Sequence, residues 1–103
     1  MFGLQQADLL QIEAIFNRYA ELEKVIIFGS RALGNYKAGS DVDLALFGDL
    51  LTEKIVASIH FELNENSLMP YFFDVINYHS IRNDSLKDYI NQQGKLIYER
   101  KNV

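Results

Sequence analysis

The chain has 103 residues, 49% of them hydrophobic and 13% aromatic, with ten Lys and Arg against fourteen Asp and Glu, for a net charge of −4. That length and apolar content predict one domain, 1–103, and exclude a disordered chain, and the absence of cysteine excludes disulfides, thiolate metal sites and cysteine nucleophiles. The scattered Lys and Arg form no basic block of the kind that tracks long nucleic acid, although a small anionic ligand remains compatible.

In chain order, Met1 to Gln6 lacks the basic region and apolar run of a secretory signal. No stretch reaches the length of a membrane span, so the cytoplasm is the expected location. A helix is predicted from about Gln6 to Glu21, with Leu9, Ile12, Ile15, Phe16 and Tyr19 as its apolar stripe and Asp8 suited to its first turn. Lys24 to Phe28 is a short β-branched run and reads as a buried strand that Gly29 ends. Ser30 to Leu33 has the length of one helical turn, which Gly34 breaks. Asp41 to Phe47 is a second strand: its even positions are apolar throughout, while its odd positions open with Asp41 and Asp43 and become apolar later. A helix over about Thr52 to Asn64 follows, with Thr52 as N-cap and Ile55, Val56, Ile59 and Leu63 as its stripe. Tyr71 to Ile76 is a third strand carrying one charge, Asp74. A last helix is predicted over about Ser80 to Gln92 with Gly94 as its stop, and Leu96-Ile97-Tyr98 is read as a short apolar tail packed back on the body. The order is α-β-β-α-β-α, an α/β (α+β) domain with a small mixed sheet and helices mainly on one face.

The chemistry concentrates in Gly29-Ser30 and Asp41-Val42-Asp43. On a strand, residues i and i+2 project from the same face, so Asp41 and Asp43 stand together. Two neighbouring carboxylates that both ionise repel each other, and a divalent cation relieves that repulsion. The Gly-Ser corner offers backbone N–H groups and a hydroxyl to a phosphate. The competing interpretation is a surface hairpin whose aspartates are merely solvated. Asp74 weighs against it. A lone charge within Phe72-Phe73-Asp74-Val75-Ile76 is either an edge-strand group facing water or a third metal-site carboxylate. Three carboxylates suffice for two magnesium ions, which take oxygen ligands and share them with phosphates.

Gly29-Ser30, Asp41-Val42-Asp43 and a later strand Asp74 resemble the nucleotidyltransferases of the DNA polymerase β superfamily. The chain is most similar to its minimal branch, the MNT proteins paired with HEPN proteins. The resemblance implies a polymerase β-like nucleotidyltransferase fold and transfer of a nucleoside monophosphate, AMP from ATP, with two Mg2+ ions. It implies that Gly29 and Ser30 bind the triphosphate and that Asp41 and Asp43 ligate magnesium. Asp74 would complete the metal site and orient or deprotonate the attacking hydroxyl. Arg31 matches a basic residue of the family's Gly-Ser-Arg segment and would neutralise phosphate charge, unless it is simply a surface arginine. Many relatives have a second basic residue where this chain has Leu33, which leaves Lys37 as a weak substitute.

The implied acceptor is a tyrosine of a helical HEPN toxin, with this chain as the antitoxin; a chain this small has little surface for a second substrate, so a partner would supply it. Two other readings stay open. One is a non-catalytic antitoxin that neutralises its partner by complex formation, the other transfer to a small molecule such as an antibiotic. A homo-oligomer is compatible with either. His60 is expected to be an ordinary helix histidine, His79 is assigned no role, and the aromatic group Tyr71, Phe72, Phe73 and Tyr78 is expected to be core.

Overall fold

A computed structural model describes residues 1–101, so the last two residues of the expected domain lie outside the described residues. Helix α1 (Gln6–Asn17) leads into strand β1 (Lys24–Phe28), the one-turn helix α2 (Ser30–Leu33) and strand β2 (Val42–Phe47). Helix α3 (Glu53–Asn64), strand β3 (Phe73–Asn77), a 3-10 turn (Tyr78–Ser80), helix α4 (Asp84–Gln93) and strand β4 (Lys95–Glu99) complete the described elements. The four strands form one mixed sheet in the order β3-β2-β1-β4, with β1 antiparallel to β2 and β4, and β2 parallel to β3.

Alternation along the strands sorts the side chains. Val25, Ile27, Leu44, Leu46, Phe73 and Tyr98 are buried on one face against Ile12, Ile15 and Phe16 of α1 and Ile59 and Leu63 of α3. Burying such side chains stabilises by about 1.5–3 kcal/mol each. The other face carries Ile26 and Phe28 and is partly covered by α4. Tyr89 meets Phe28 edge-on at 6.4 Å, and Gly94 abuts the Ile26 side chain so closely that a Cβ there would lie 2.4 Å from it. That second face, beyond the cover of α4, carries Asp43 and Asp74.

β4 corrects the reading of Leu96-Ile97-Tyr98 as a tail. The segment pairs with β1, more than sixty positions earlier, through Val25↔Tyr98 and Ile26↔Leu96, and the register shifts between them. The bulge breaks the alternation that would have marked a strand. The first helix also stops early. Asn17 is its last residue, and Arg100 supplies what its end lacks: the guanidinium donates to the carbonyls of Leu22 at 3.0 Å and Tyr19 at 2.6 Å, with longer bonds of 3.4 Å to Phe16 and Asn17. The last helix starts later than expected, at Asp84, because Asn83 caps it by accepting from Leu86 N at 3.2 Å. Thr52 caps α3 as expected, accepting from Ile55 N.

Candidate active site

The motif residues all lie at one end of the sheet, where β1 finishes and β2 and β3 begin. Gly29 follows the last residue of β1. Asp41 immediately precedes β2, Asp43 is its second residue, and Asp74 is the second residue of β3. Register pairs Asp43 with Phe28 on one side and with Asp74 on the other. In-register residues on neighbouring strands project from the same face, so the two carboxylates are lateral neighbours.

Gly29 has φ +78° and ψ −157°, a region only glycine enters without strain. A Cβ here would lie 2.4 Å from Asp43 Oδ2, so the missing side chain is what lets the carboxylate sit against the backbone. Ser30 then opens α2, whose amides donate back to Gly29 O from Ala32 and Leu33. The first amides of any helix have no intrahelical acceptor, which leaves this corner suited to an anion.

Electrostatically the site is unbalanced. Asp43 is half-buried, and its carboxyl is pushed above the usual carboxylate range, first by burial and then by the negative charges of Asp74 and Asp41. Asp41 and Asp74 are exposed. Among the described residues, no group of three ligating side chains converges closely enough to form a closed metal site as it stands. The donor set is nevertheless the kind magnesium uses: carboxylate oxygens open to solvent, with room for a substrate's phosphates to supply the remaining ligands.

The structure brings Gly29, Ser30, Asp41, Asp43 and Asp74 to one edge, but it places the Arg31 guanidinium elsewhere than expected. Only 3% of Arg31 is exposed, and it is the one buried charged residue among those described. Its Nε and Nη2 donate to Ser40 O at 3.0 and 2.9 Å, and its Nη1 donates to Phe2 O at 2.9 Å. The rings of Tyr36 and Tyr71 flank it at 5.2 and 5.0 Å. Arg31 is thus neither a surface arginine nor an open phosphate ligand. Lys37 is an exposed loop residue.

Sequence reasoning missed Asn64, at the end of α3. Its side chain accepts from Phe73 N at 2.7 Å and donates to Phe73 O at 2.8 Å, clasping the main chain one residue before Asp74. An asparagine ending a helix is so common that it carries no signal. His79 lies at the opposite end of the sheet, where its Nε2 accepts from Gly48 N at 3.4 Å, in a hollow it shares with Lys24, Phe47, Glu99 and Arg100. His60 is partly buried, edge-on to Phe72 at 5.9 Å. Of the aromatic group, Phe73 is core, whereas Phe72 is half exposed and Tyr78 stacks on Phe47 at 4.3 Å.

Comparison with known proteins accords with this geometry. The family described as "Polymerase beta, Nucleotidyltransferase" matches residues 10–103. No curated protein matches the chain. Among solved structures, a toxin–antitoxin crystal structure with AMP-PNP superposes with TM-score 0.71 at 20% identity, over 95% of this chain and 76% of that one. A tri-AMPylated Shewanella oneidensis HEPN toxin in complex with MNT antitoxin gives 0.68 at 20%, over 94% and 74%. The MntA-HepT toxin–antitoxin gives 0.68 at 20%, over 93% and 74%. At these identities the likeness is one of fold.

Proposed function

The chain belongs to the polymerase β nucleotidyltransferase family, and on that basis we propose that it transfers AMP from ATP to a tyrosine hydroxyl of a HEPN toxin, as an MNT-type antitoxin. The observation that carries this reading is the gathering of Asp41, Asp43, Asp74 and the Gly29-Ser30 corner at one edge of the sheet. The fold it shares with an antitoxin complexed with an AMPylated HEPN toxin, and with a toxin–antitoxin bound to AMP-PNP, supports the choice of donor and acceptor.

Asp41, Asp43 and Asp74 would hold magnesium, which when bound offsets phosphate charge and lowers the pKa of an acceptor hydroxyl. The protein supplies positioning and electrostatics, which is most of what phosphoryl-group chemistry requires. Ser30 and the opening amides of α2 receive the triphosphate. Gly29 keeps the backbone low enough for Asp43 to reach over it. Asp74 lies beside Asp43 to orient the incoming tyrosine hydroxyl and accept its proton. The bond formed joins the tyrosine oxygen to the α-phosphorus; the bond broken is the α–β phosphoanhydride, and pyrophosphate leaves.

Among the described residues no helix is long and apolar enough to cross a membrane, which accords with the cytoplasmic location this reading assumes. The test is transfer from α-labelled ATP, with magnesium, into a HEPN protein that forms a complex with this chain, using wild type and Asp43→Asn. Label on a tyrosine of the partner, lost in the variant, is expected. A stable complex of the two proteins without label would overturn the catalytic reading in favour of inhibition by binding.

A further inference from the structure

The feature of the site left without a role is its single buried cation. Arg31 follows Gly29-Ser30 directly, and two of the groups it touches, Ser40 and Tyr71, belong to segments leading into other parts of the site. Ser40, whose carbonyl accepts from both Nε and Nη2, is the residue before Asp41. Tyr71, whose ring lies 5.0 Å from the guanidinium carbon, is three residues before Asp74. Tyr71 is itself anchored, since its hydroxyl donates to Asp8 Oδ2 at 2.8 Å and Asp8 accepts from Gln5 N at the start of α1. Phe2 O takes Nη1 from the N-terminal turn, where Gly3, at φ +73°, packs so tightly that a Cβ would lie 2.5 Å from Tyr36 and 2.8 Å from Nη1.

We infer that Arg31 is a positioning residue: it fastens the Gly29-Ser30 corner, the approach to Asp41 and the approach to Asp74 into one rigid unit from behind, without touching the nucleotide. The inference rests on the function proposed above for what the unit does, and on the geometry alone for the fastening. The fork shape of a guanidinium is what the arrangement uses. Two parallel N–H groups converge on one carbonyl while a third reaches a different segment and the flat faces meet aromatic rings, and no other side chain does all three. Buried carbonyls that lose such a donor must find water, so the loop would reopen toward solvent.

The test compares Arg31→Gln and Arg31→Lys with wild type. Arg31→Lys keeps the buried cation but cannot grip Ser40 O with two N–H groups, and it carries the test if Arg31→Gln does not fold. Backbone hydrogen exchange at Ser40, Val42 and Phe73, whose amides donate to Lys37 O, Phe72 O and Asn64 Oδ1, should speed by at least about tenfold in the variants, while Ile27 and Leu44 in the sheet centre stay as in wild type. Transfer should lose about 100-fold in kcat, the size expected when reacting groups shift by about 1 Å, with KM for ATP changed less than about threefold. Wild-type exchange at the three amides in a folded variant would overturn the fastening. Faster exchange with undiminished kcat would overturn the positioning role, and so would a raised KM at constant kcat, which would make Arg31 a nucleotide contact. If wild type transfers nothing, the proposed function falls, and exchange together with the magnesium concentration that half-saturates the Asp43 amide shift decides on Arg31. A midpoint raised at least about tenfold in the variants is then expected, and an unchanged one overturns the inference.

Discussion

Asp43 and Asp74 are register partners on the parallel strands β2 and β3, so their carboxylates lie side by side on the face that α4 leaves open. Burial and the charges of Asp74 and Asp41 push the Asp43 carboxyl above its ordinary range. A carboxyl whose pKa is higher folded than unfolded favours the fold when protonated, and that contribution fades as pH rises through the folded pKa. Without divalent metal, Asp43→Asn should therefore melt above wild type at neutral pH. The gain should vanish below about pH 4, where the carboxyl is protonated in both states. Thermal melts across that range check it, and a variant less stable than wild type at neutral pH would show that Asp43 is not strained by its neighbours. Saturating magnesium should reverse the order, because wild type alone then gains a ligand.

Each of Asp41→Asn, Asp43→Asn and Asp74→Asn should lower transfer by at least about 1000-fold with the fold intact, since each removes a proposed magnesium ligand rather than a packing group. Single-turnover transfer beside circular dichroism checks this. Full activity in any one would remove that residue from the site.

Gly29→Ala tests the close approach at the corner. The added methyl must displace Asp43 Oδ2, 2.4 Å away, and the backbone at φ +78° strains any other residue. The expected cost is about 1–3 kcal/mol of stability. Activity should fall far more than stability, because the group displaced is a proposed metal ligand. A folded variant with wild-type transfer would contradict the placement.

Arg100→Ala probes the opposite end of the molecule. Its guanidinium holds the carbonyls of Leu22 and Tyr19 where α1 ends. Losing these charge-assisted bonds should cost about 2–3 kcal/mol, a fall in Tm of roughly 10–20 °C. The folded fraction should keep its activity per molecule, since no contact of Arg100 reaches the site edge. Denaturant melts and kcat measured below the transition separate the two effects.

Tyr19, partly buried just past the end of α1 and donating to Glu62 of α3, has its phenol pushed up to about 12, first by burial and then by that carboxylate. Its contribution to stability should persist through neutral pH and disappear only as pH rises from about 10 through 12. Phenolate absorbance should show wild type and Tyr19→Phe titrating alike near pH 10, with one further tyrosine titrating near 12 in wild type alone. Identical titration of the two, apart from one ordinary tyrosine, would remove the buried hydrogen bond.

What the sequence determined by itself is what depends on short stretches of chain: the buried run Lys24 to Phe28, the cap at Thr52, the alternation that aligns Asp41 with Asp43, and the oddity of a charge at Asp74. Each follows from residue type and spacing within one element, where period and capping chemistry act locally. The tertiary structure decided what depends on partners far apart in the chain. Leu96-Ile97-Tyr98 became a strand because β1 offered a free edge, and its bulge hid the alternation. The first helix ended at Asn17 because Arg100, from the other end of the chain, satisfies its last carbonyls. Arg31 looked like a phosphate ligand because its neighbours Gly29 and Ser30 are candidate site residues. Its guanidinium instead turns inward, where Phe2, Ser40, Tyr36 and Tyr71 converge to satisfy and sandwich a buried charge. Burial of a cation is settled by whether such partners meet in space, and residue order alone does not encode that meeting.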